Sequence, residues 1–238
     1  MNAAGGAALI VLCDWSRVAA PERLLGPRER HSAAGLEGAR RHEWVRTRLT
    51  AKAAVRWFAG PAADPRGFEL LSAPDGAPEP IGAAVSISLA HTGNLSLCAV
   101  SPGGTAVGVD AERIDQDNDL VRRKVEGPRD LVPIRSTRPG AEATLLFACK
   151  EAAYKAHRGA SPVLRDYRVS ADRGGFGIGL DRPGGRELTL WPALTGTLAL
   201  AFCQDRPEPP RWRRVLPARV LTELRAEMGG REDSECHS

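Results

Sequence analysis

The sequence predicts an α+β chain of 238 residues folded as two similar lobes. Three observations lead there. Two long stretches, Gly38 to Phe58 and Ala141 to His157, carry the spacing of helices. Short alternating or apolar runs of strand length surround each of them. The turn Pro102-Gly103-Gly104 falls between the two groups, so each half of the chain offers one main helix and several strands.

The elements follow in order. Ala8 to Cys13 is a continuous apolar run and reads as a buried strand. Pro21 to Gly35 is loop and short helix. From Gly38 to Phe58, Trp44, Val45, Leu49, Ala53 and Trp57 recur at helical steps, with Arg40, Arg41, Arg46, Arg48, Lys52 and Arg56 filling much of the rest, until Gly60-Pro61 stops the helix. Phe68 to Leu71 is a short strand. Ala73 to Pro80 is a turn built on Asp75-Gly76 and three prolines. Val85 to Leu89 alternates as a strand does, and Leu95 to Val100 follows it. Thr105 to Glu112 resumes a strand. Asp115 to Pro139 is charged and irregular. Ala141 to His157 is the second main helix. Tyr167 to Ser170, Gly175 to Leu180, Glu187 to Trp191 and Thr197 to Cys203 are short strands. Pro207-Glu208-Pro209-Pro210 breaks the pattern, and Ala218 to Met228 is a short amphipathic stretch. The expected division is residues 1–104 and 105–228, with residues 229–238 a disordered tail. No repeat between the halves is read at the level of residues.

Composition bounds the function. Apolar residues make 42% and charged residues 26% of the chain, which excludes wholesale disorder, a collagen-like chain and a coiled coil. The run Ala7 to Cys13 is too short to span a bilayer and no basic residue precedes it; a cytoplasmic protein is expected. The five cysteines, Cys13, Cys98, Cys149, Cys203 and Cys236, are odd in number and form no C-x-x-C pair, so buried reduced thiols are expected rather than disulfides or zinc. The net charge of +4 suits an anionic ligand without naming one. Of the 33 basic residues only Lys52, Lys124, Lys150 and Lys155 are lysines, and in a chain that otherwise writes arginine a lysine marks a place for a compact point charge.

Three segments could carry chemistry. In Val107-Gly108-Val109-Asp110-Ala111-Glu112, a strand's alternation puts Asp110 and Glu112 on one face. A hard divalent cation would relieve their repulsion; otherwise both acids are solvated at the strand's end. In the helix from Leu145 to Ala156, Glu151 and Lys155 stand four apart in the favourable order for an ion pair, within an otherwise apolar stretch where charges need a reason. In Ser86 to Gly93, His91 at a strand end could meet a phosphate, or be an ordinary loop histidine.

Together these segments resemble the 4′-phosphopantetheinyl transferases. The family pattern G-[IV]-D-x-E, a spacer of a few tens of residues, then [WF]-x-x-K-E-[AS]-x-x-K, is met by Gly108, Asp110, Glu112, Phe147, Lys150, Glu151, Ala152 and Lys155. Ser88-Leu89-Ala90-His91 resembles the family's upstream S-x-[SAT]-H motif, and Arg40 to Lys52 its basic first helix. The chain is similar to the long class, especially its actinobacterial and siderophore-associated branch. For that class the resemblance implies two pseudo-symmetric lobes, each a main helix packed on an antiparallel sheet, in a monomer. The implied reaction moves the phosphopantetheine arm of coenzyme A onto a serine of an acyl, peptidyl or polyketide carrier protein and leaves 3′,5′-ADP. The implied metal is Mg²⁺, with Mn²⁺ the alternative, on Asp110, Glu112 and Glu151. Glu151 would take the serine proton and Lys155 would hold developing phosphate charge. Arg40, Arg48, His91, Asp110, Ala111, Lys150 and Lys155 would contact coenzyme A. One departure stands out: many members carry Gly-[KR]-Pro before the histidine motif, whereas this chain reads Asp75-Gly76-Ala77-Pro78. The competing readings are a non-catalytic module binding coenzyme A or carrier protein on the same fold, and a nucleic-acid binder. The latter lacks basic-aromatic interleaving, with aromatics at 5%. No nucleic-acid or membrane partner is expected.

Overall fold

The continuous apolar run ending at Cys13 makes β1 (Leu9–Asp14), whose odd positions turn to one side and even positions to the other, both faces being covered. The computed structural model describes residues 6–60, 68–114, 119–172, 175–182 and 184–225; the expected tail and Cys236 lie outside them. After β1 come α1 (Pro27–Ala34), α2 (Gly38–Ala59), β2 (Glu69–Ser72), β3 (Pro78–Ile81), β4 (Val85–Thr92) and β5 (Leu95–Pro102). β5 pairs antiparallel with both β1 and β4. The β4–β5 connection is the two-residue turn Gly93-Asn94, with Gly93 at φ +56°, the left-handed conformation such turns require. Leu9, Val11 and Cys13 face α2, whose Val45, Leu49, Ala53 and Ala54 complete one core.

The second lobe holds β6 (Val107–Arg113), α3 (Asp119–Val125), α4 (Ala141–Ala156), β7 (Tyr167–Asp172), β8 (Gly175–Leu180), β9 (Glu187–Thr195) and β10 (Leu198–Gln204). Its sheet is antiparallel in the order β6-β10-β9-β8-β7, and α4 packs across β6 and β10 over a second core. The fold is thus α+β, with a main helix on each sheet. A third core joins the lobes. Ala8, Ile10, Leu97 and Ala99 of one sheet meet Val107, Val109, Leu200 and Phe202 of the other. The edge strands β4 and β6 touch there, and Val109 N–H donates to Ser88 Oγ at 3.1 Å.

The expected division changes at its far end. Residues 105–204 build the second sheet, but the chain then returns: β11 (Arg211–Val215) pairs parallel with β1, and α5 (Pro217–Arg225) follows. Val215, Val220, Leu221 and Leu224 enter the first core, and Arg56 Nε holds Glu223 Oε1 at 2.5 Å. Two further elements stand where loop was expected. β3 pairs with β2 despite Pro78 and Pro80, which is tolerable in a two-stranded ribbon. α3 occupies part of the charged segment, seated on α4's core through Val125. No helix among the described residues is long and apolar enough to cross a membrane. Cys13, Cys98, Cys149 and Cys203 are free and buried; burial pushes the Cys13 thiol up to about 12.

The lobes correspond in strand order: β1, β5 and β4 match β6, β10 and β9, and the turn Gly93-Asn94 matches Gly196-Thr197. Three residues beyond the first paired residue after each turn stand Cys98 and Ala201, opposite Val11 and Asp110. Where the second lobe has Asp110, the first has Val11; where it has Glu112, the first has Cys13.

Candidate active site

Gly108 sets the geometry. A Cβ built on it would lie 1.8 Å from the Ala152 carbonyl oxygen, so only a glycine lets α4 approach β6 this closely. Val107, Val109 and Ala111 turn to the core shared by the lobes, which leaves Gly108, Asp110 and Glu112 on the α4 side. The approach brings Lys155 Nζ to 2.6 Å from Asp110 Oδ1 and 3.2 Å from the Val109 carbonyl. The Asp110 side chain is almost wholly buried, whereas Lys155 keeps 29% of its side chain in solvent. Asp110 Oδ2 is buried and has no hydrogen-bond partner among the described residues. A buried lone carboxylate oxygen is costly, which makes this atom a point for an incoming donor or cation.

Glu151 lies one turn before Lys155 and is half-buried. Desolvation pushes its carboxyl above the usual range; Lys155 draws it down and Asp110 adds to the rise. Asp110, Glu151 and Lys155 therefore form one electrostatic neighbourhood: a carboxyl with raised proton affinity, a cation, and a carboxylate with a spare oxygen. A carboxyl of raised proton affinity beside a partly exposed ammonium is an arrangement able to take up a proton and to attract an anion.

The other expected contacts are distributed differently. Lys150 does not join the cluster. Its ammonium is fully buried, donating to Asp130 Oδ2 at 2.5 Å and to the Val125 carbonyl at 2.7 Å, because it sits on the face of α4 turned toward α3 and the loop after it. Ala111 turns its side chain into the shared core. Arg48 is buried: Nε reaches the Leu70 carbonyl, Nη2 reaches Ser72 Oγ, both at 3.1 Å, and the guanidinium lies over the Trp44 ring. Desolvation lowers its pKa to about 10. Arg40 is exposed in the first turn of α2, eight residues and about 12 Å of helix from Arg48, so the two do not share one point. His91 is exposed near the end of β4. Ser88 touches Val109 and Gly93 lies against Arg113, which brings His91 level with the Ala111–Glu112 stretch of β6. Glu112 is half-buried beside Ala199.

The expected three-carboxylate metal set is not gathered. No group of three or more His, Cys, Asp or Glu among the described residues is placed to hold a metal ion. Lys155 accounts for this: its ammonium already occupies Asp110 Oδ1 and relieves the carboxylate repulsion that a cation would otherwise relieve. As placed, the side chains do not supply a three-ligand site of their own, and Asp110 Oδ2 is the buried carboxylate oxygen left open to a cation.

Two residues escaped the sequence reading. Arg158, just past α4 and at φ +52°, grips Asp75 with two hydrogen bonds of 2.9 and 3.0 Å. A guanidinium from the second lobe thus arrives at the turn whose expected basic residue is missing; nothing local in the sequence announces it. Asp130, the partner of Lys150, did leave a signal. Gly127-Pro128-Arg129-Asp130 parallels Gly26-Pro27-Arg28-Glu29, three identities and a shared acid between halves read as having no repeat.

No family model matches this sequence, and no curated protein does. Among solved structures, part of the chain is similar to a 2.31 Å crystal structure of a holo-(acyl-carrier-protein) synthase from Bacillus anthracis str. Ames in complex with CoA (3′,5′-ADP). The identity is 23%, the match covers 41% of this chain and 96% of that chain, and the TM-score is 0.36. A likeness of that size attaches no activity to this chain.

Proposed function

We propose that this chain is a group-transfer enzyme working at the β6–α4 junction. The particular transfer is of 4′-phosphopantetheine from coenzyme A to a serine of an acyl, peptidyl or polyketide carrier protein. The observation that carries the reading is the Asp110–Lys155 pair beside Glu151, built on the G-V-D-A-E and F-A-C-K-E-A-A-Y-K segments that resemble the family's motifs. Two lobes in one chain also suit a monomer of the long class.

In this reading Glu151 accepts the proton of the carrier serine as its Oγ–phosphorus bond forms and the bond from phosphorus to the 3′,5′-ADP oxygen breaks. Its raised proton affinity suits a base working near neutrality. Lys155 holds charge on the phosphoryl oxygens, and Asp110 fixes Lys155. His91, exposed on β4, and Arg40, exposed on α2, are the contacts open to coenzyme A. Arg158 stands where the Asp75 turn would otherwise lack a cation. A divalent cation, if one binds, would be held at Asp110 Oδ2 and would supply charge neutralisation at the pyrophosphate; no step is routed through it.

The test is incubation of the purified protein with coenzyme A and an apo carrier protein, with and without Mg²⁺ or Mn²⁺. A carrier mass gain of one phosphopantetheine with release of 3′,5′-ADP is expected. Binding of coenzyme A or carrier without any mass gain would instead establish the non-catalytic module.

A further inference from the structure

The two G-P-R-[DE] copies are built into the fold in the same way. In the first lobe Glu29 accepts from Gly26 N–H at 2.7 Å, from Leu70 N–H of β2 at 3.0 Å, and from Lys52 Nζ of α2 at 2.9 Å; Lys52 also reaches the Phe68 carbonyl at 2.9 Å. In the second lobe Asp130 accepts from Gly127 N–H at 2.6 Å, from Val169 N–H of β7 at 3.0 Å, and from Lys150 Nζ of α4 at 2.5 Å; Lys150 also reaches the Val125 carbonyl. All four charged side chains are at most 2% exposed. In each lobe one carboxylate therefore ties the start of its own Gly-Pro-Arg segment, a strand backbone and the main helix to one point.

Stability alone is a weak reason for such a pair, since apolar residues of similar volume serve as well or better. An ion pair with fixed partners gives direction instead. Each helical residue turns about 100° from the one before. Holding Lys150 against Asp130 therefore sets the azimuth of Glu151, its neighbour, and of Lys155, five residues on. In the first lobe the positions after the tied lysine, Ala53 and Trp57, carry no such groups.

We propose that Asp130 and Lys150 are positioning residues: their buried pair fixes the rotation of α4 so that Glu151 and Lys155 face Asp110. For its kinetic consequence this rests on the transfer reading above.

The experiment compares lobes. Asp130→Asn keeps an acceptor for Val169 N–H but withdraws the charge facing Lys150. It is expected to lower kcat by about 10-fold to 100-fold, the cost of a small misplacement of reacting groups, with KM for coenzyme A within about two-fold of the parent. Lys150→Met should do the same, its chain filling the lysine's place, and it is read alone if Asp130→Asn does not fold. The double variant should be no worse than either single one, because both remove one interaction. Glu29→Gln should lower the melting temperature comparably and leave kcat within about two-fold. The proposal is overturned if Lys150→Met raises KM while Asp130→Asn does not, since Lys150 then touches substrate. It is also overturned if Glu29→Gln lowers kcat as far as Asp130→Asn, since the loss then reports general loosening. Amide hydrogen exchange without ligand separates this idea from the transfer reading. Asp130→Asn should speed exchange from Glu151 to Ala156 and spare α2; Glu29→Gln should do the reverse. If the parent protein transfers nothing, the transfer reading falls and the exchange pattern alone decides: unchanged exchange in α4 overturns the positioning role.

Discussion

The two lobes share a plan and differ in how closely the main helix lies on its strand. In the first, Leu9, Val11 and Cys13 fill the space between β1 and α2, and Trp57 closes it with Arg213 stacked 4.6 Å from its ring centroid. In the second, Gly108 removes the filler, so that α4 descends on β6 and Lys155 reaches Asp110. One lobe uses the junction for packing and the other for charge. A small residue at one strand position, combined with two carboxylates and a lysine at the facing ones, turns an apolar seam into a charged one.

The largest effect expected from breaking this difference is at Glu151. Glu151→Gln removes the proton acceptor of the proposed transfer and should cut kcat by about 10²–10⁴-fold, or roughly 3–5 kcal/mol of barrier. The same change should raise the melting temperature at neutral pH. The reason lies in the sign of the shift: burial raises the Glu151 pKa in the folded state, so above both pKa values the folded protein carries a charge that the unfolded chain solvates better. That penalty begins to fade as pH falls through the raised folded-state value and is gone below the unfolded one. The acid limb of kcat/KM should accordingly lie above the pH of an ordinary glutamate. A profile falling only near the glutamate reference would remove Glu151 from the role of base.

Next comes Gly108→Ala, which makes the second lobe more like the first. Its methyl would meet backbone rather than a yielding side chain, so a stability loss of about 3 kcal/mol is expected, read as a fall in the denaturation midpoint. Retained stability would mean α4 can lift from β6 at little cost. Lys155→Arg tests the compactness of the junction. It keeps the charge but enlarges it where the ammonium sits between Asp110 and the Val109 carbonyl, and activity should fall about 10-fold or more with the melting temperature kept. Full activity would reduce the pair to surface electrostatics. The smallest effect belongs to Arg158. Its pair with Asp75 is largely exposed, and Arg158→Ala should lower the melting temperature only slightly, as expected of a solvent-screened pair. Arg158→Gly should recover part of that by easing the positive φ.

How far the sequence foretold this varies with the range of the cause. The strands with alternation and the two main helices follow from local pattern, as does the pairing of Asp110 with Glu112 on one strand face and of Glu151 with Lys155 on one helix face; that the two faces meet was expected only from the resemblance. β11 could not be foreseen in that way. Arg211-Trp212-Arg213-Arg214 has no buried stripe, and its pairing partner β1 lies some two hundred residues earlier. The inward turn of Lys150 was equally hidden. Spacing puts it beside Glu151 but says nothing of Asp130, which a loop delivers from twenty residues upstream. The repeated Gly-Pro-Arg-acid segment did hold that information, in four residues too short to stand out against the rest.

The return of β11 to the edge of β1 also has a consequence for the order in which the molecule can be made. A chain emerging amino end first displays β1 with one side paired to β5 and the other open. It must complete the whole second sheet before Arg211–Val215 arrives to close that side. The first lobe is therefore the first to be synthesised and the last to be finished. Cutting the chain after Gln204 would leave the second sheet's strands intact, yet expose a raw edge on the first and uncover Val215, Val220 and Leu224 positions in its core.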